Sequence, residues 1–257
     1  MINVTAIASG SNGNCYFFEN KNHAILIDAG ISRKQILLRM ENLGLDIGKV
    51  RAIFITHEHT DHTRGIDVLS RTKNISIFIT KKTYALSNLT IKDDLLNFFK
   101  PAAELIISDI RIHPFLKSHD AAEPCSFMVN SKSKNVGIMT DMGYGCNQVV
   151  SFLKKCDALF LESNYDETML AEGSYPYFLK ERISSETGHF SNHQAGCLIR
   201  ENASARLKQV FLSHLSANSN TPKLAHNTFL GLIAPRKDLN INAMVTSREK
   251  ESNLLRL

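Results

Sequence analysis

Short apolar runs rich in β-branched residues alternate with longer amphipathic stretches along the whole chain. The short runs have the length and composition of β-strands, which predicts strands at 2–8, 15–18, 24–28, 51–55, 75–79, 110–115, 125–129, 135–140, 158–161, 209–213 and 240–245. The stretches between them repeat with helical periodicity, which predicts helices at 32–43, 62–71, 84–99, 147–154, 175–183, 191–202 and 222–233. Strands and helices therefore alternate along the chain, as in an α/β protein.

The predicted strands are too numerous for one flat sheet. In each half of the chain, strands come first and helices follow. This order predicts a four-layer αββα sandwich, in which two mixed sheets pack face to face and helices cover the outer faces. No low-complexity linker, internal repeat or break in composition interrupts the pattern, so residues 1–257 are predicted to form a single domain.

Composition narrows the class of protein. Hydrophobic residues make up 43% of the 257 residues, a globular proportion, and no long uncharged apolar run or secretion signal is visible. The five cysteines form no C-x-x-C pair, which argues against a disulfide framework or a thiolate zinc site. We therefore expect a cytoplasmic protein without membrane contact. The net charge of +5 permits an anionic partner such as nucleic acid but does not require one.

Three histidines and an aspartate lie within one hexapeptide, residues 57–62, directly after an apolar run. Because side chains alternate at the end of a strand, His57 and His59 are expected to project to the same side. Asp61 and His62 follow where the chain turns into a helix. Since imidazole and carboxylate groups are ligands for divalent metals, the hexapeptide is predicted to bind metal. A polar turn with chance histidines is the alternative.

Three further candidate ligands follow hydrophobic runs elsewhere in the chain, namely His119, Asp141 and His214. His113 is a rival to His119, but the adjacent Pro114 suggests an edge strand, whereas His119 lies in a loop from which an imidazole can reach inward. Together with the hexapeptide, these candidates are too many for one tetrahedral ion and suit two ions that share a carboxylate.

The candidate ligands divide into two groups. We expect His57, His59 and His119 to bind the first ion. We expect Asp61, His62 and His214 to bind the second. The Asp141 carboxylate and a hydroxide are expected to bridge both ions. Two ions about 3.5–4 Å apart lower the pKa of a bridging water towards about 7 and stabilise both the attacking and the leaving oxygen, so hydrolysis is the expected reaction. These ligands suit zinc or manganese and also accept iron. A non-catalytic metal-binding scaffold is the alternative from another class of protein.

Carboxylates at two other strand ends are candidates for supporting the metal ligands. Asp28 ends an otherwise apolar run, and we expect it to accept a hydrogen bond from a ligating imidazole and fix its tautomer. A charge near the N-terminus of the next helix is the alternative. Glu162 and Asn164 close another apolar run and are candidates for the same role, although a buried glutamate paired with lysine would give the same pattern.

The H-x-H-x-D-H hexapeptide, taken with Asp28, His119, Asp141 and His214, resembles the metallo-β-lactamase fold superfamily. Further segments resemble its YycJ/WalJ branch, and they are residues 8–15, 26–30, 56–62, 118–121, 161–164 and 188–192. The resemblance spans nearly the whole chain. It implies the αββα fold, the same seven metal ligands and a cytoplasmic phosphodiesterase with 5′ to 3′ exonuclease activity on DNA.

The resemblance also implies a role for His189. RNase Z relatives carry a histidine at a similar helix start, where it donates a proton to the leaving group. This chain departs from that pattern at Phe190, Ser191 and Asn192, and an exposed loop histidine is the alternative. Independently of the resemblance, free N–H groups at the start of this helix would attract a phosphate. Ser191 and Asn192 are therefore predicted to contact the substrate.

The glycine- and asparagine-rich loop 9–14 is the other candidate substrate contact. Its Asn-Gly pair is typical of a hairpin turn, but its N–H groups and polar side chains also suit a phosphate. With the resemblance, Ser11, Asn12 and Asn14 are predicted at the rim of the site. DNA is favoured over RNA as the substrate. An RNase Z-like endoribonuclease and a small cyclic-phosphate diesterase are the alternatives, and both would use the same metals and His189.

Overall fold

The computed structural model describes residues 2–257. Its strands, in chain order, are β1 (Asn3–Ala8), β2 (Cys15–Glu19), β3 (Ala24–Ile27), β4 (Val50–Phe54), β5 (Ser76–Thr80), β6 (Leu96–Phe99), β7 (Leu105–Ile107), β8 (Ile110–Leu116), β9 (Cys125–Ser131), β10 (Lys134–Met139), β11 (Ala158–Glu162), β12 (Gln209–Ser213), β13 (Asn242–Val245) and β14 (Leu255–Arg256). Its helices are α1 (Arg33–Asn42), α2 (Thr60–Thr63), α3 (Ile66–Lys73), α4 (Lys81–Leu86), α5 (Asn147–Leu153), α6 (Glu167–Glu172), α7 (Tyr177–Ser184), α8 (Asn192–Asn202) and α9 (Pro222–Ile233).

Within residues 2–257 the strands form two sheets of seven strands each. The first sheet has the order β14-β1-β2-β3-β4-β5-β6, and the second has the order β13-β12-β11-β10-β9-β8-β7. Both sheets are mixed. Strands β3 to β6 run parallel in the first sheet, and β10 to β13 run parallel in the second. The other neighbouring pairs are antiparallel.

Successive side chains of the strands enter different apolar layers, because a strand alternates between the two faces of its sheet. In β3, Ile25 and Ile27 belong to the layer between the sheets, whereas Leu26 packs with residues of α1 and α3. The rings of Tyr16 in the first sheet and Phe160 in the second lie 5.0 Å apart across the middle layer. Helices α5, α8 and α9 cover the outer face of the second sheet. The predicted αββα sandwich is confirmed.

The helix predicted at 84–99 is wrong. Helix α4 ends at Leu86, and after a turn β6 adds in parallel to β5, with Leu96 opposite Ile77. Leu95 and Phe99 are spaced by one helical turn, which favoured a helix, and both are buried in the structure. A short apolar run fits either element, and here pairing with β5 decided the outcome.

The helix predicted at 62–71 divides at Gly65 into α2 and α3. The N–H of Gly65 donates to the carbonyl oxygen of Ala29 at 2.8 Å, and a Cβ added at Gly65 would lie 2.2 Å from the carbonyl oxygen of Ile31. Only glycine permits this close approach, which holds the histidine-rich hexapeptide against the turn after β3. The short elements β7, β14 and α6 were not predicted, because so few residues carry no readable periodicity.

The carboxyl ends of several parallel strands carry the polar residues singled out above. Asp28 directly follows β3, and two residues separate β4 from the hexapeptide. In the second sheet Glu162 ends β11, and His214 directly follows β12. Ligand sites in open α/β sheets lie at such strand ends. Across residues 2–257, none of the helices has the length and apolarity needed to cross a membrane.

Candidate metal centre and active site

Three site residues adopt the left-handed backbone conformation within two residues of the end of their strands. The φ angles are 61° at Asp28, 57° at Asp141 and 58° at His214. For residues other than glycine this conformation costs on the order of 1–3 kcal/mol and persists only where the surrounding structure enforces it. Each of these residues turns the chain away from the strand, and its side chain lies among the predicted metal ligands.

The first group of ligand atoms consists of the imidazoles of His57, His59 and His119. One ring nitrogen from each lies within 4.8 Å of the others. His57 Nε2 and His59 Nδ1 are 3.1 Å apart, and the rings of His57 and His119 are 4.9 Å apart between centroids. The structure thus brings together the three histidines predicted for the first ion.

The second group consists of Asp61, His62 and His214, whose ligand atoms also lie within 4.8 Å of one another. Asp141 lies between the two groups. Its Oδ2 is 3.5 Å from His62 Nε2, and its Oδ1 is 3.4 Å from His214 Nε2. Asp141 also groups with His57 and His62 within the same 4.8 Å limit. Its carboxylate is therefore in a position to reach both groups.

Unsatisfied polar atoms show that these residues suit a cation. His119 Nε2, Asp141 Oδ2 and His214 Nε2 are buried and have no hydrogen-bond partner within the described residues. Buried polar atoms are almost always paired, and an unpaired one requires an explanation. Divalent metal ions accept both imidazole nitrogen and carboxylate oxygen as ligands. The donor set and its unpaired atoms therefore fit divalent metal.

Asp28 supports ligands in both groups. It is fully buried, and its carboxylate accepts hydrogen bonds from Thr56 N at 2.9 Å and Thr56 Oγ1 at 2.8 Å. Its Oδ2 also lies 2.7 Å from His62 Nδ1. Thr56 Oγ1 lies 2.8 Å from His57 Nδ1, so the threonine links the carboxylate to a histidine of the first group. Sequence reasoning did not identify Thr56, because a threonine at a strand end carries no metal-site signal.

Glu162 plays the corresponding part in the second sheet. Its Oε1 lies 2.7 Å from His189 Nδ1 and 2.9 Å from His214 Nδ1, and its Oε2 accepts from Met142 N at 2.7 Å and Phe190 N at 3.2 Å. Its partners are histidines and backbone amides, not the lysine considered as an alternative. The carboxylate fixes the tautomer of both imidazoles, because Nδ1 carries the proton that it accepts.

The two groups of histidines differ in charge. Burial, with the nearby charges of His62 and Lys117, holds the pKa of His57 well below its usual value. Burial likewise lowers the pKa of His119 to about 4. Burial alone would also lower the pKa of His214, but Asp141 and hydrogen bonds with neighbouring carboxylates raise it to about 10. Without metal, His57 and His119 are therefore neutral at pH 7, whereas His214 holds a proton.

The carboxylates of Asp141 and Glu162 are ionised. Burial raises the pKa of Asp141, but the charges of His214, His62 and Lys117 outweigh burial and hold it well below its usual value. Sequence reasoning did not assign Lys117, whose buried Nζ donates to Thr140 O at 2.7 Å and lies 3.9 Å from Asp141 Oδ2. The pKa of Glu162 falls to about 2 for a similar reason. Burial raises this pKa, but the charge and hydrogen bond of His189, with the hydrogen bond to His214, lower it by more.

An open cavity of about 230 Å³ faces the metal ligands. The residues that line it come from loops at the strand ends of both sheets, from the start of α2, and from α7 and its flanking segments: Ser11, His59, Asp61, Asp141, Asn164, Tyr175, Leu179, Arg182, Ile183, His189, His214 and Ser216. Larger cavities of about 500 and 420 Å³ lie elsewhere and contain none of the predicted ligands. We therefore place the active site at the smaller cavity, because predicted metal ligands line it.

The loop 9–14 lies beside this cavity as the predicted hairpin connection between β1 and β2. Ser11 lines the cavity. Asn14 Nδ2 lies 3.1 Å from His62 Nε2 and 3.4 Å from Asp61 Oδ2, so Asn14 contacts the ligands themselves. Asn12 Oδ1 accepts from an arginine, Arg248 Nη1, at 3.0 Å.

Ser191 and Asn192 do not face the cavity, which corrects their prediction as substrate contacts. Both are buried. The Ser191 hydroxyl accepts from Gln194 N and donates to Glu167, and the Asn192 side chain bonds to Ser163 and an asparagine, Asn220. These bonds hold the start of α8 in place and leave neither side chain for a substrate.

The expected phosphate site at the start of α8 is also corrected. Ser191 and Gln194 form a reciprocal capping box, and Asn192 N donates to the carbonyl oxygen of Tyr165 at 2.8 Å. These N–H groups are satisfied within the protein. His189 nevertheless lines the cavity, whereas His113 lies on β8 and pairs with Glu104 at 3.3 Å, outside it.

Comparison with known proteins agrees with this geometry. Residues 8–153 match the metallo-beta-lactamase superfamily. The exodeoxyribonuclease YycJ of Bacillus anthracis is 33% identical over 227 residues, which cover 87% of this chain and 86% of that protein. The exodeoxyribonuclease WalJ of Streptococcus pneumoniae serotype 2 is 32% identical over 240 residues, which cover 91% of this chain and 89% of that protein. The metallo-beta-lactamase fold protein YhfI from Bacillus subtilis shares the fold, with a TM-score of 0.75, 17% identity and 100% coverage of both chains.

The fold, the paired ligand groups and the family match define a metal-dependent hydrolase, and the chain belongs to the metallo-β-lactamase superfamily. Within that superfamily its similarity to the YycJ and WalJ exodeoxyribonucleases extends over most of its length. The predicted resemblance to the YycJ/WalJ branch is confirmed.

Proposed function

We propose that the protein is a phosphodiesterase that removes nucleotides from DNA ends with two divalent ions. The observation that carries the proposal is the pair of ligand groups around Asp141, facing an open cavity that His189 also lines. The names of the relatives support DNA as the substrate and an exonuclease as the type of enzyme. The five free cysteines and the net charge of +5 are compatible with a cytoplasmic enzyme acting on a polyanion.

The chain's own residues divide the work of holding the ions. In this proposal His57, His59 and His119 would hold one ion. Asp61, His62 and His214 would hold the other. Asp141 would be a ligand of both. When bound, two divalent ions lower the pKa of water and polarise the phosphoryl oxygens of a diester. Zinc or manganese is proposed, and iron fits the same ligands.

The supporting residues orient these ligands and determine which imidazole nitrogen carries a proton. Asp28 directs the Nδ1 of His62 away from the cleft and so leaves Nε2 as the ligand atom. Glu162 does the same for His214, and it also holds His189 by Nδ1 at the cavity wall. With Nδ1 turned to this carboxylate, Nε2 of His189 is the nitrogen left to donate a proton to a departing alkoxide. We therefore propose His189 as the proton donor to the leaving group.

The test is cleavage of end-labelled nucleic acids by protein purified without chelator, with its metal content measured. DNA labelled at the 5′ or the 3′ end should release labelled mononucleotides in an order that reveals polarity, and the His59→Ala variant should be inactive. His113→Ala is the matched control, because it removes a histidine that lies outside the cavity. Wild-type rates in His59→Ala would refute the metal site.

Other outcomes of the same experiment distinguish the alternatives. Cleavage of RNA or of cyclic phosphates, but not of DNA, would overturn the proposed substrate and leave the hydrolase intact. Metal binding without turnover of any of these substrates or of a simple bis-aryl phosphodiester would indicate a scaffold.

A further inference from the structure

Helix α7 carries two large apolar side chains on the protein surface. The exposed fractions are 76% for Tyr177 and 73% for Phe178, the two highest values among the large hydrophobic residues described. Single exposed apolar residues are common on soluble proteins, but adjacent aromatic rings exposed to this extent indicate a binding surface. Neither ring contributes to an apolar layer of the sandwich.

The same helix forms a wall of the metal cavity. Leu179, Arg182 and Ile183 line the cavity, and they are spaced by three and four positions along one face of α7. Phe178 precedes Arg182 by four positions and is therefore its neighbour on the helix surface. Phe178 thus stands one helical turn from a residue inside the cavity, and Tyr177 is next to it in the chain, two residues after Tyr175, which also lines the cavity.

The charges around the rings suit a nucleic-acid strand. Within the described residues, Arg182 makes its hydrogen bond through Nε, to Asp120 at 2.6 Å, and no protein acceptor engages its Nη groups. Those groups are donors for a phosphate oxygen. Lys180 adds a positive charge on the same helix, and Glu181 removes one. Because the net charge of this part of α7 is small, the aromatic rings are the main feature that a ligand would recognise.

We propose that Tyr177 and Phe178 form a stacking platform for unpaired bases of the strand whose end lies in the metal cavity. This inference rests on the proposed function and adds to it the form of the substrate, a single-stranded or overhanging DNA end. Aromatic side chains bind single strands by stacking on successive bases, whereas the bases of a duplex are already stacked on each other. Arg182 contacts the phosphate between the platform and the metal ligands.

The test measures binding of single-stranded oligonucleotides by fluorescence anisotropy, with 2-aminopurine at successive positions near the end of the strand. Phe178→Ala and Tyr177→Ala should each weaken binding by roughly 10-fold, as expected for the loss of one stacked base. Stacking quenches 2-aminopurine, so quenching near the strand end should also be lost. Phe178→Trp should retain both effects, and Phe178→Leu should behave like Phe178→Ala, because leucine keeps apolar area but cannot stack.

Phe98→Ala is the matched control, since Phe98 is a phenylalanine with 45% exposure on β6 that does not line the cavity. It should bind DNA as the wild type does. Full binding and quenching in Phe178→Leu would overturn the stacking platform and indicate an apolar surface for a protein or a lipid. If the wild type cleaves DNA and the alanine variants match it in affinity and quenching, the platform alone fails. If the wild type neither binds nor cleaves DNA, the proposed function fails as well.

Discussion

Replacing Asp28 with asparagine tests how the buried carboxylate controls both groups of metal ligands. The variant keeps the shape of the side chain but loses the anion that lies 2.7 Å from His62 Nδ1 and accepts from Thr56 Oγ1 at 2.8 Å. An amide NH2 group facing His62 would oppose its Nδ1 proton and favour protonation at Nε2, the nitrogen proposed to bind metal. His57 would lose its support indirectly, through Thr56.

The expected magnitude follows from the lost contacts. A hydrogen bond to a charged group contributes about 1.5–3 kcal/mol. Since 1.4 kcal/mol corresponds to about a tenfold change in an equilibrium constant, affinity for metal should fall by about 10- to 100-fold. Asp28→Asn should weaken the binding of both proposed ions. Thr56→Val should weaken mainly the ion held by His57, because the contact between Asp28 and His62 remains.

The assay is competition with a chromophoric chelator, which resolves the affinities of the two ions, on proteins of equal helical content by circular dichroism. Asp157→Asn is the matched control: Asp157 is also buried, accepts from Asn135 N at 2.8 Å, and directly precedes β11, at the end of the strand opposite Glu162. Its variant should lose stability without losing metal. Wild-type affinity for both ions in Asp28→Asn would refute the reasoning.

Three further predictions address packing, protons and catalysis. Gly30→Ala would place a Cβ 1.6 Å from the carbonyl oxygen of Asp61 and should lower both metal affinity and, by about 2 kcal/mol or more, the free energy of unfolding in urea. In the matched control Gly231→Ala, the added Cβ has no atom within 4 Å, so this change in helix α9 should raise the free energy of unfolding by about 0.5–1 kcal/mol. A larger loss of stability in Gly231→Ala than in Gly30→Ala would contradict the packing. Because the pKa of His214 is raised to about 10 without metal, binding of metal at pH 7 should release its proton, and the affinity for metal should increase with pH. Calorimetry in buffers of different ionisation enthalpy measures this proton release. Binding without proton release would contradict the prediction. Glu162→Gln should reduce kcat for DNA by about 10- to 100-fold in steady-state kinetics, and an unchanged kcat would exclude its positioning role.

The sequence predicted the elements whose pattern is long or strongly periodic. Helix α9 and strand β12 have the predicted bounds, because proline follows a capping threonine at the start of α9 and β12 is a continuous apolar run before His214. The segment 84–99 was misjudged, since helical spacing and strand pairing are both compatible with its apolar residues. Only the neighbouring strand β5 distinguishes them.

The seven predicted metal ligands could be selected from sequence because each is a histidine or aspartate at the end of an apolar run. Residue type and local position sufficed for that. Thr56 could not be selected in the same way, because its importance comes from its contact with the distant Asp28. Glu162 could be named only as a candidate, because a glutamate paired with lysine would give the same sequence pattern, and only the structure shows its contacts with His189 and His214. Ser191 and Asn192 were misassigned for the converse reason: partners from other segments use their polar atoms.

The sequence by itself determined which chemical groups are present and on which strand ends they stand. Only the tertiary structure decided that these ends meet, because two separate sheets must pack face to face before His119 and His214 can approach the hexapeptide. It also decided the backbone conformation at Asp28, Asp141 and His214, which local preference disfavours and the packed sandwich enforces. The geometry of the centre therefore depends on contacts between residues far apart in the chain, which a local pattern does not encode.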